Sequence, residues 1–165
     1  FHRERIHILA EAGPDVFACE TIPCLVEALA ETDVLSEIPG AEAWISFSCK
    51  DGLHTCGGDL ISDCAKALKD IKEVAAIGIN CTAPQYVESL IKEIVKVTDK
   101  PVVVYPNSGE DYDAGSKSWE GSAAKYEDYV KIWYEAGARL IGGCCRTGPE
   151  DIRKVAAFRK SLIEK

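Results

Sequence analysis

The sequence predicts an α/β domain built on a parallel sheet, with strand–helix units following one another along the chain. Three observations carry this. Five short apolar runs, at residues 15–19, 43–48, 75–80, 102–105 and 138–143, are each followed by a stretch of helical apolar spacing. Two helix-to-strand junctions echo each other, Glu11-Ala12-Gly13-Pro14-Asp15 and Glu135-Ala136-Gly137-Ala138-Arg139. And Glu20, Ser48, Cys81, Asn107 and the pair Cys144-Cys145 all stand at or just after the carboxyl ends of the runs, where parallel α/β sheets gather ligands. Alternating strands and helices imply parallel pairing and right-handed crossovers. Five units suit either an open sheet or five-eighths of a (β/α)8 barrel.

The elements follow in order. Ile6, Leu9 and Ala10 share a helical face, and Gly13-Pro14 ends that helix. Residues 15–19 lack apolar–polar alternation, the mark of a strand covered on both faces. Pro23 fits the first turn of a helix running to about Ser36, and Pro39-Gly40 makes a turn. After the second strand, a glycine-containing loop leads to Ser62, a candidate N-cap, with Ala65, Leu68 and Ile71 at helical spacing. The third strand delivers Cys81. Pro84 then opens a helix whose face is Val87, Leu90, Ile91, Ile94 and Val95.

Past the fourth strand, residues 106–121 form a polar loop too long for a plain connector. Tyr126, Tyr129, Val130 and Trp133 stripe the next helix for packing on the sheet, and Gly137 closes it. The last helix starts either with a Thr147/Glu150 capping box or with Gly148 as cap and Pro149 at the first position. Its Ile152, Val155, Ala156 and Leu162 are expected to face a core.

The chain's 165 residues suit one domain with a sizeable core. Its 47% apolar and 28% charged residues are ordinary for a globular chain, and a net charge of -8 argues against nucleic acid as a partner. No run approaches the roughly 20 apolar residues of a membrane helix. Phe1-His2-Arg3-Glu4-Arg5 does not resemble a signal peptide, and methionine is absent, so the chain reads as an excerpt of a longer one. Eight cysteines without a secretory signal favour free or metal-bound thiols in a reducing cytoplasm. Cys19, Cys24, Cys49, Cys56 and Cys64 read as small buried hydrophobes. His2, His7 and His54 show no ligand spacing and read as surface residues.

The chemistry concentrates in Leu140-Ile141-Gly142-Gly143-Cys144-Cys145-Arg146. Adjacent side chains on a strand point to opposite faces. The two cysteines serve one site only if the backbone bends, which Gly142 and Gly143 permit. Cys81, at the end of another apolar run, offers a third sulfur. Three thiolates at strand ends suit a zinc ion with one open position.

Five stretches together resemble the homocysteine S-methyltransferase family, in the family's order. They are Cys19-Glu20-Thr21-Ile22-Pro23, Trp44-Ile45-Ser46-Phe47-Ser48, Gly78-Ile79-Asn80-Cys81, Tyr105-Pro106-Asn107-Ser108-Gly109-Glu110 and Gly142-Gly143-Cys144-Cys145-Arg146. The fourth resembles the branch that uses S-methylmethionine. The resemblance implies a (β/α)8 barrel, of which residues 1–165 cover the fourth to eighth units and lack the first three. It implies a zinc held by Cys81, Cys144 and Cys145, and a glutamate, here Glu20, on the homocysteine ammonium. Asn107 would border the metal. Thr21 and Ser48 complete the candidate substrate-binding residues. Two sheet edges left open would make the isolated piece poorly stable.

The activity so implied is zinc-dependent methyl transfer from S-methylmethionine or S-adenosylmethionine to homocysteine, giving methionine, as part of methionine biosynthesis. Beyond the zinc-activated substrate thiol it needs no catalytic side chain. The alternatives are a betaine- or folate-dependent homocysteine methyltransferase and a non-catalytic zinc-binding fragment. Thiol-redox chemistry at Cys144-Cys145 is disfavoured by the missing Cys-x-x-Cys spacing. Partners are small molecules, and the sequence leaves the oligomeric state open.

Overall fold

The computed structural model describes residues 1–163. A leading helix, α1 (Arg3–Glu11), is followed by five strand–helix units. They are β1 (Phe17–Ile22) with α2 (Leu25–Leu35), β2 (Ala43–Phe47) with α3 (Ile61–Leu68), and β3 (Val74–Asn80) with α4 (Pro84–Val95). The fourth is β4 (Val102–Tyr105), a small hairpin β5 (Asp111–Asp113) and β6 (Ser118–Glu120), and α5 (Tyr126–Ala136). The fifth is β7 (Ala138–Ile141) with α6 (Pro149–Ile163).

The main sheet is wholly parallel in the order β1-β2-β3-β4-β7, which is chain order. Right-handed crossovers in chain order put every helix on one face, and α3, α4, α5 and α6 pack each on the next. Register lines up two apolar rows beneath them. One is Cys19, Ile45, Ile77, Val102 and Ala138; the other is Ile22, Phe47, Ile79, Val104 and Ile141. All but Ile141 are buried. Each large side chain so buried stabilises the fold by about 1.5–3 kcal/mol. The opposite face carries Ser46, Gly78, Val103 and Leu140 in one row. At Gly78 a Cβ would stand 1.8 Å from the Val103 carbonyl oxygen, so no other residue fits between β3 and β4.

Several expectations need correction. β1 runs two residues later than the apolar run suggests and its burial alternates, with Ala18 and Glu20 exposed. It is an edge strand with one face uncovered, and only the face turned to the helices is dry. Pro23 precedes α2 rather than opening it, and Cys24 is the N-cap. Ser62 lies inside α3, whose N-cap is Leu60. Leu9 and Val95 sit on their predicted helices but are exposed. The last helix starts by the second route: Pro149 is its first residue, and Asp151 accepts a bond from the Gly148 N–H at 3.0 Å. None of its residues is buried, and Ile152 and Leu162 are exposed. α6 packs on α5, and Val155 and Phe158 supply its apolar contact with the core.

Of the remaining cysteines, Cys19, Cys49 and Cys64 are buried, Cys24 is half-buried and Cys56 is exposed, against its expected burial; all eight are free thiols. His7 and His54 are partly exposed beside Glu37 and Asp51. His2 is not a surface residue: its side chain is 11% exposed and sits between Glu27 and Glu31, joining α1 to α2. No described helix is long and apolar enough to cross a membrane.

Candidate metal centre

The site is assembled where β3, β4 and β7 end. β3 stops at Asn80, and Cys81 turns away in the left-handed region with φ 48°. Such a backbone is strained for a side-chain-bearing residue and persists only where its surroundings hold it. The Cys81 N–H still donates to the Tyr105 carbonyl at 3.3 Å. β7 stops at Ile141 rather than Gly143. The Gly142 N–H keeps a last ladder bond to Val104 at 2.8 Å. At Gly143 a Cβ would lie 2.2 Å from Thr147 Oγ1, so the glycine lets the Thr147 hydroxyl close the turn by donating to the Cys144 carbonyl at 2.7 Å.

The loop after β4 is laced to this turn. The Cys144 N–H donates to the Pro106 carbonyl at 2.9 Å and the Ser108 N–H to the Cys145 carbonyl at 3.0 Å. The buried Tyr126 hydroxyl also donates to Pro106, at 2.9 Å.

The result is a sulfur cluster. Cys81 Sγ lies 3.6 Å from Cys145 Sγ, and Cys144 Sγ 3.9 Å from Cys145 Sγ. All three lie within 4.8 Å of one another. These separations are far beyond the roughly 2.05 Å of a disulfide and are right for ligands around one ion. Burial first, then contact with the other two thiols, pushes Cys81 up to about 12, and burial raises Cys144. Three soft donors at this spacing fit a thiophilic divalent metal.

The predicted substrate residues divide. Glu20 lies on the open sheet face near the Tyr105 hydroxyl. Tyr105 accepts a bond from Trp44 Nε1 at 3.0 Å, which ties β2 to β4 across β3. Burial above all, with a smaller contribution from the Glu20 charge, pushes the Tyr105 phenol up to about 12. Thr21 is engaged by Asn80: its N–H donates to Asn80 Oδ1 at 2.8 Å, and Asn80 Nδ2 donates to its hydroxyl at 2.7 Å. Ser48 is buried behind β2, its backbone bonded to Ile22 and Cys56. Asn107 borders the cleft beside the sulfurs while its Oδ1 accepts from the Gly109 N–H at 2.9 Å, a turn bond.

That cleft has a volume of about 530 Å3 and contains Cys81 and Cys145 in its wall. Part of the wall comes from the hairpin β5–β6, absent from the sequence reading. Tyr112 and Trp119 pair across it with ring centroids 5.1 Å apart. The available signal was Asp111-Tyr112-Asp113 and Ser118-Trp119-Glu120 around a Gly115-Ser116 turn. Among the described residues one other group has metal-ligand spacing, His2, Glu27 and Glu31. There the His2 ring lies 3.0 Å from Glu27 Oε1 and 3.0 Å from Glu31 Oε1, and Arg5 stands 2.7 Å from His2 Nδ1.

Fold and site thus define a class: a parallel α/β protein with a thiol cluster, of the kind that holds a thiophilic metal, at the carboxyl ends of its strands. Comparison with known proteins makes this specific. The profile of the family described as homocysteine S-methyltransferase matches residues 1–158, and the chain belongs to that family. It is 55% identical over 98% of its length to homocysteine S-methyltransferase YbgG of Bacillus subtilis. Over its whole length it is 48% identical to homocysteine S-methyltransferase 2 of Arabidopsis thaliana and 47% identical to a selenocysteine Se-methyltransferase of Brassica oleracea. The metallated form of the Escherichia coli homocysteine methyltransferase MmuM superposes with a TM-score of 0.82 at 39% identity, over 96% of this chain and 50% of that one. The chain spans about half the length of the curated relatives it matches.

Proposed function

We propose that the protein transfers a methyl group from a sulfonium donor to the thiol of homocysteine, giving methionine, with zinc as its metal. The convergence of Cys81, Cys144 and Cys145 within 4.8 Å carries this reading. Zinc held by these sulfurs would supply an open coordination position that keeps a substrate thiol ionised near neutral pH. A free thiol, with pKa about 8.5, is only a few per cent ionised there. Glu20 receives the homocysteine ammonium on the sheet face, and the neutral Tyr105 hydroxyl helps hold that carboxylate in place. Asn107 borders the metal. Thr21 and Ser48 act through the strand ends they shape.

In the transfer, the bond between the methyl carbon and the donor sulfur breaks and its electron pair stays on that sulfur. A new carbon–sulfur bond forms to the homocysteine thiolate, whose proton has gone to solvent. The donor leaves as a neutral thioether, so no side chain need supply a proton. The relative that acts on selenocysteine fits the same chemistry, a soft anionic nucleophile.

The five units are read as consecutive members of a closed (β/α)8 barrel. Chain-order strand pairing, helices on one face and unpaired edges at β1 and β7 support this. Eight free thiols suit a reducing compartment, the cytoplasm.

The test is metal analysis together with methylation of homocysteine by S-methylmethionine. One zinc per chain, lost in Cys81→Ser along with methionine formation, is the expected result. Zinc content unchanged in Cys81→Ser removes that residue from the ligand set. Zinc binding without methylation of homocysteine by any onium donor leaves the non-catalytic reading.

A further inference from the structure

Resting on the reading of the sulfur cluster as the methyl-transfer centre, the geometry points to the cleft on its loop side as the donor site, with Trp119 and Tyr112 recognising the methylsulfonium cation. Glu20 comes from β1 and lies outside this cleft, whose wall is built by the segments after β2, β3 and β4 and by Cys145 after β7. Cys81 and Cys145 are therefore open to a ligand seated in this cleft.

The cleft is chemically distinctive. Tyr112 and Trp119 meet at 5.1 Å with planes 51° apart, and Tyr86 is a third aromatic in the wall. Aromatic faces are the negative ends of ring quadrupoles and attract a sulfonium, which is a soft, weakly hydrated cation. The ring is already in such use, with the Arg146 guanidinium carbon 6.0 Å from the Trp119 centroid. Glu110, the carboxylate in the wall, is held by Arg146, with Nε donating to Oε2 at 2.7 Å and Nη2 to Oε1 at 3.1 Å, and by the Ser108 hydroxyl at 2.7 Å. Glu110 is a positioning residue that ties the hairpin to the cysteine turn, and the rings carry the recognition.

Lys50 and the amino end of α4 also border the cleft, and Ala83 caps that helix without a side-chain bond. The Lys50 ammonium is the group there that suits a carboxylate. The complementary ligand is thus an α-amino acid bearing a methylsulfonium, either free or as its adenosyl form, and the volume of about 530 Å3 admits both.

The experiment is calorimetric titration of the zinc-loaded protein with S-methylmethionine, S-adenosylmethionine, glycine betaine and methionine. Trp119→Ala, Trp119→Phe and Tyr112→Ala are compared, with zinc content and circular dichroism as checks on folding. One sulfonium should bind at least tenfold tighter than neutral methionine. Trp119→Ala should weaken that binding about tenfold without changing methionine affinity, and Trp119→Phe should restore most of it. Whichever sulfonium binds tighter identifies the source. Equal affinity for sulfonium and methionine, betaine binding in place of both sulfoniums, or sulfonium binding unmoved in both alanine variants overturns the assignment. Homocysteine methylation with a donor KM unmoved by Trp119→Ala removes the cleft and leaves the proposed activity standing. Trp119-dependent sulfonium binding in a protein that never methylates homocysteine does the reverse.

Discussion

Asn80 grips Thr21 with both ends of its side-chain amide, at 2.8 Å and 2.7 Å. The bonds cross from β3 to β1, and Thr21 is held at φ 63°, a conformation that a β-branched residue adopts at a cost. Asn80 is wholly buried and Cys81 follows it directly. One side chain therefore fixes the strand end beside Glu20 and the residue directly before Cys81 of the sulfur cluster. Asn80→Ala leaves the Thr21 N–H without this partner and releases the strained turn. The expected loss is about 1–3 kcal/mol in urea unfolding, the sum of two part-buried hydrogen bonds. A midpoint equal to wild type would show that Thr21 keeps its conformation unaided.

Gly78→Ala tests the close approach of β3 to β4. The added methyl would lie 1.8 Å from a backbone oxygen, which no rotamer change relieves. Separating the two strands would break bonds in the middle of the sheet directly beneath Cys81. The expected loss is more than about 3 kcal/mol, among the severe single substitutions, seen as insoluble protein or a large fall in Tm. Near-native thermal stability would mean that the sheet can open there.

Burial makes folding sensitive to alkali. Cys64 is wholly buried, and burial first, then the nearby Asp59 and Asp63 charges, pushes its thiol up to about 12. Cys19 is raised further by burial and the charge of Glu31. The unfolded chain releases these protons near pH 8.5. Their folded pKa is higher, so stability is complete below pH 8 and falls as pH rises through about 9 to 12. The slope is up to about 1.4 kcal/mol per pH unit per thiol. Urea unfolding at pH 7.5, 9 and 10.5 should show the decline, and Cys64→Ala should make it shallower while costing stability at neutral pH. The exposed Cys56 should be alkylated first under native conditions. Early modification of Cys64 would contradict the packing.

The strand positions and the three clustered cysteines were legible because each has a local signature. Apolar runs ending in Asn80-Cys81 and Gly142-Gly143-Cys144-Cys145 state both a strand and its termination. Burial along β1 was not legible, because whether Ala18 is covered depends on a neighbour elsewhere in the fold. α6 fails similarly: its apolar spacing is real, yet Ile152 stays exposed. His2 was misread because its partners Glu27 and Glu31 lie a helix away, with no spacing that links them. The Trp44–Tyr105 bond joins residues 61 apart and has no local signature at all. The β5–β6 hairpin was hidden by its polarity, since Tyr112 and Trp119 pack on each other and on the cleft rather than on the core.

The hairpin's attachment through Glu110 and Arg146 gives a final prediction. Arg146 itself is turned to φ 61° directly after Cys145, and its fork reaches a carboxylate 36 residues earlier in the chain. The guanidinium, then the Ser108 hydroxyl, hold the Glu110 carboxyl below its ordinary range. The pair is therefore intact above pH 4.5 and is lost as pH falls through the depressed Glu110 value. Glu110→Gln removes the charge and keeps the shape. Hydrogen exchange across residues 111–121 should then speed several-fold while zinc content stays constant, because the sulfurs are placed by backbone bonds from Pro106 and Ser108. If the cleft takes the donor as proposed, donor KM should rise and kcat change little, since the hairpin lines the cleft wall and supplies none of the three sulfurs. Loss of zinc in Glu110→Gln would make the ion pair a support of the metal centre itself. An unchanged exchange rate would mean that the Tyr112–Trp119 contact alone secures the hairpin.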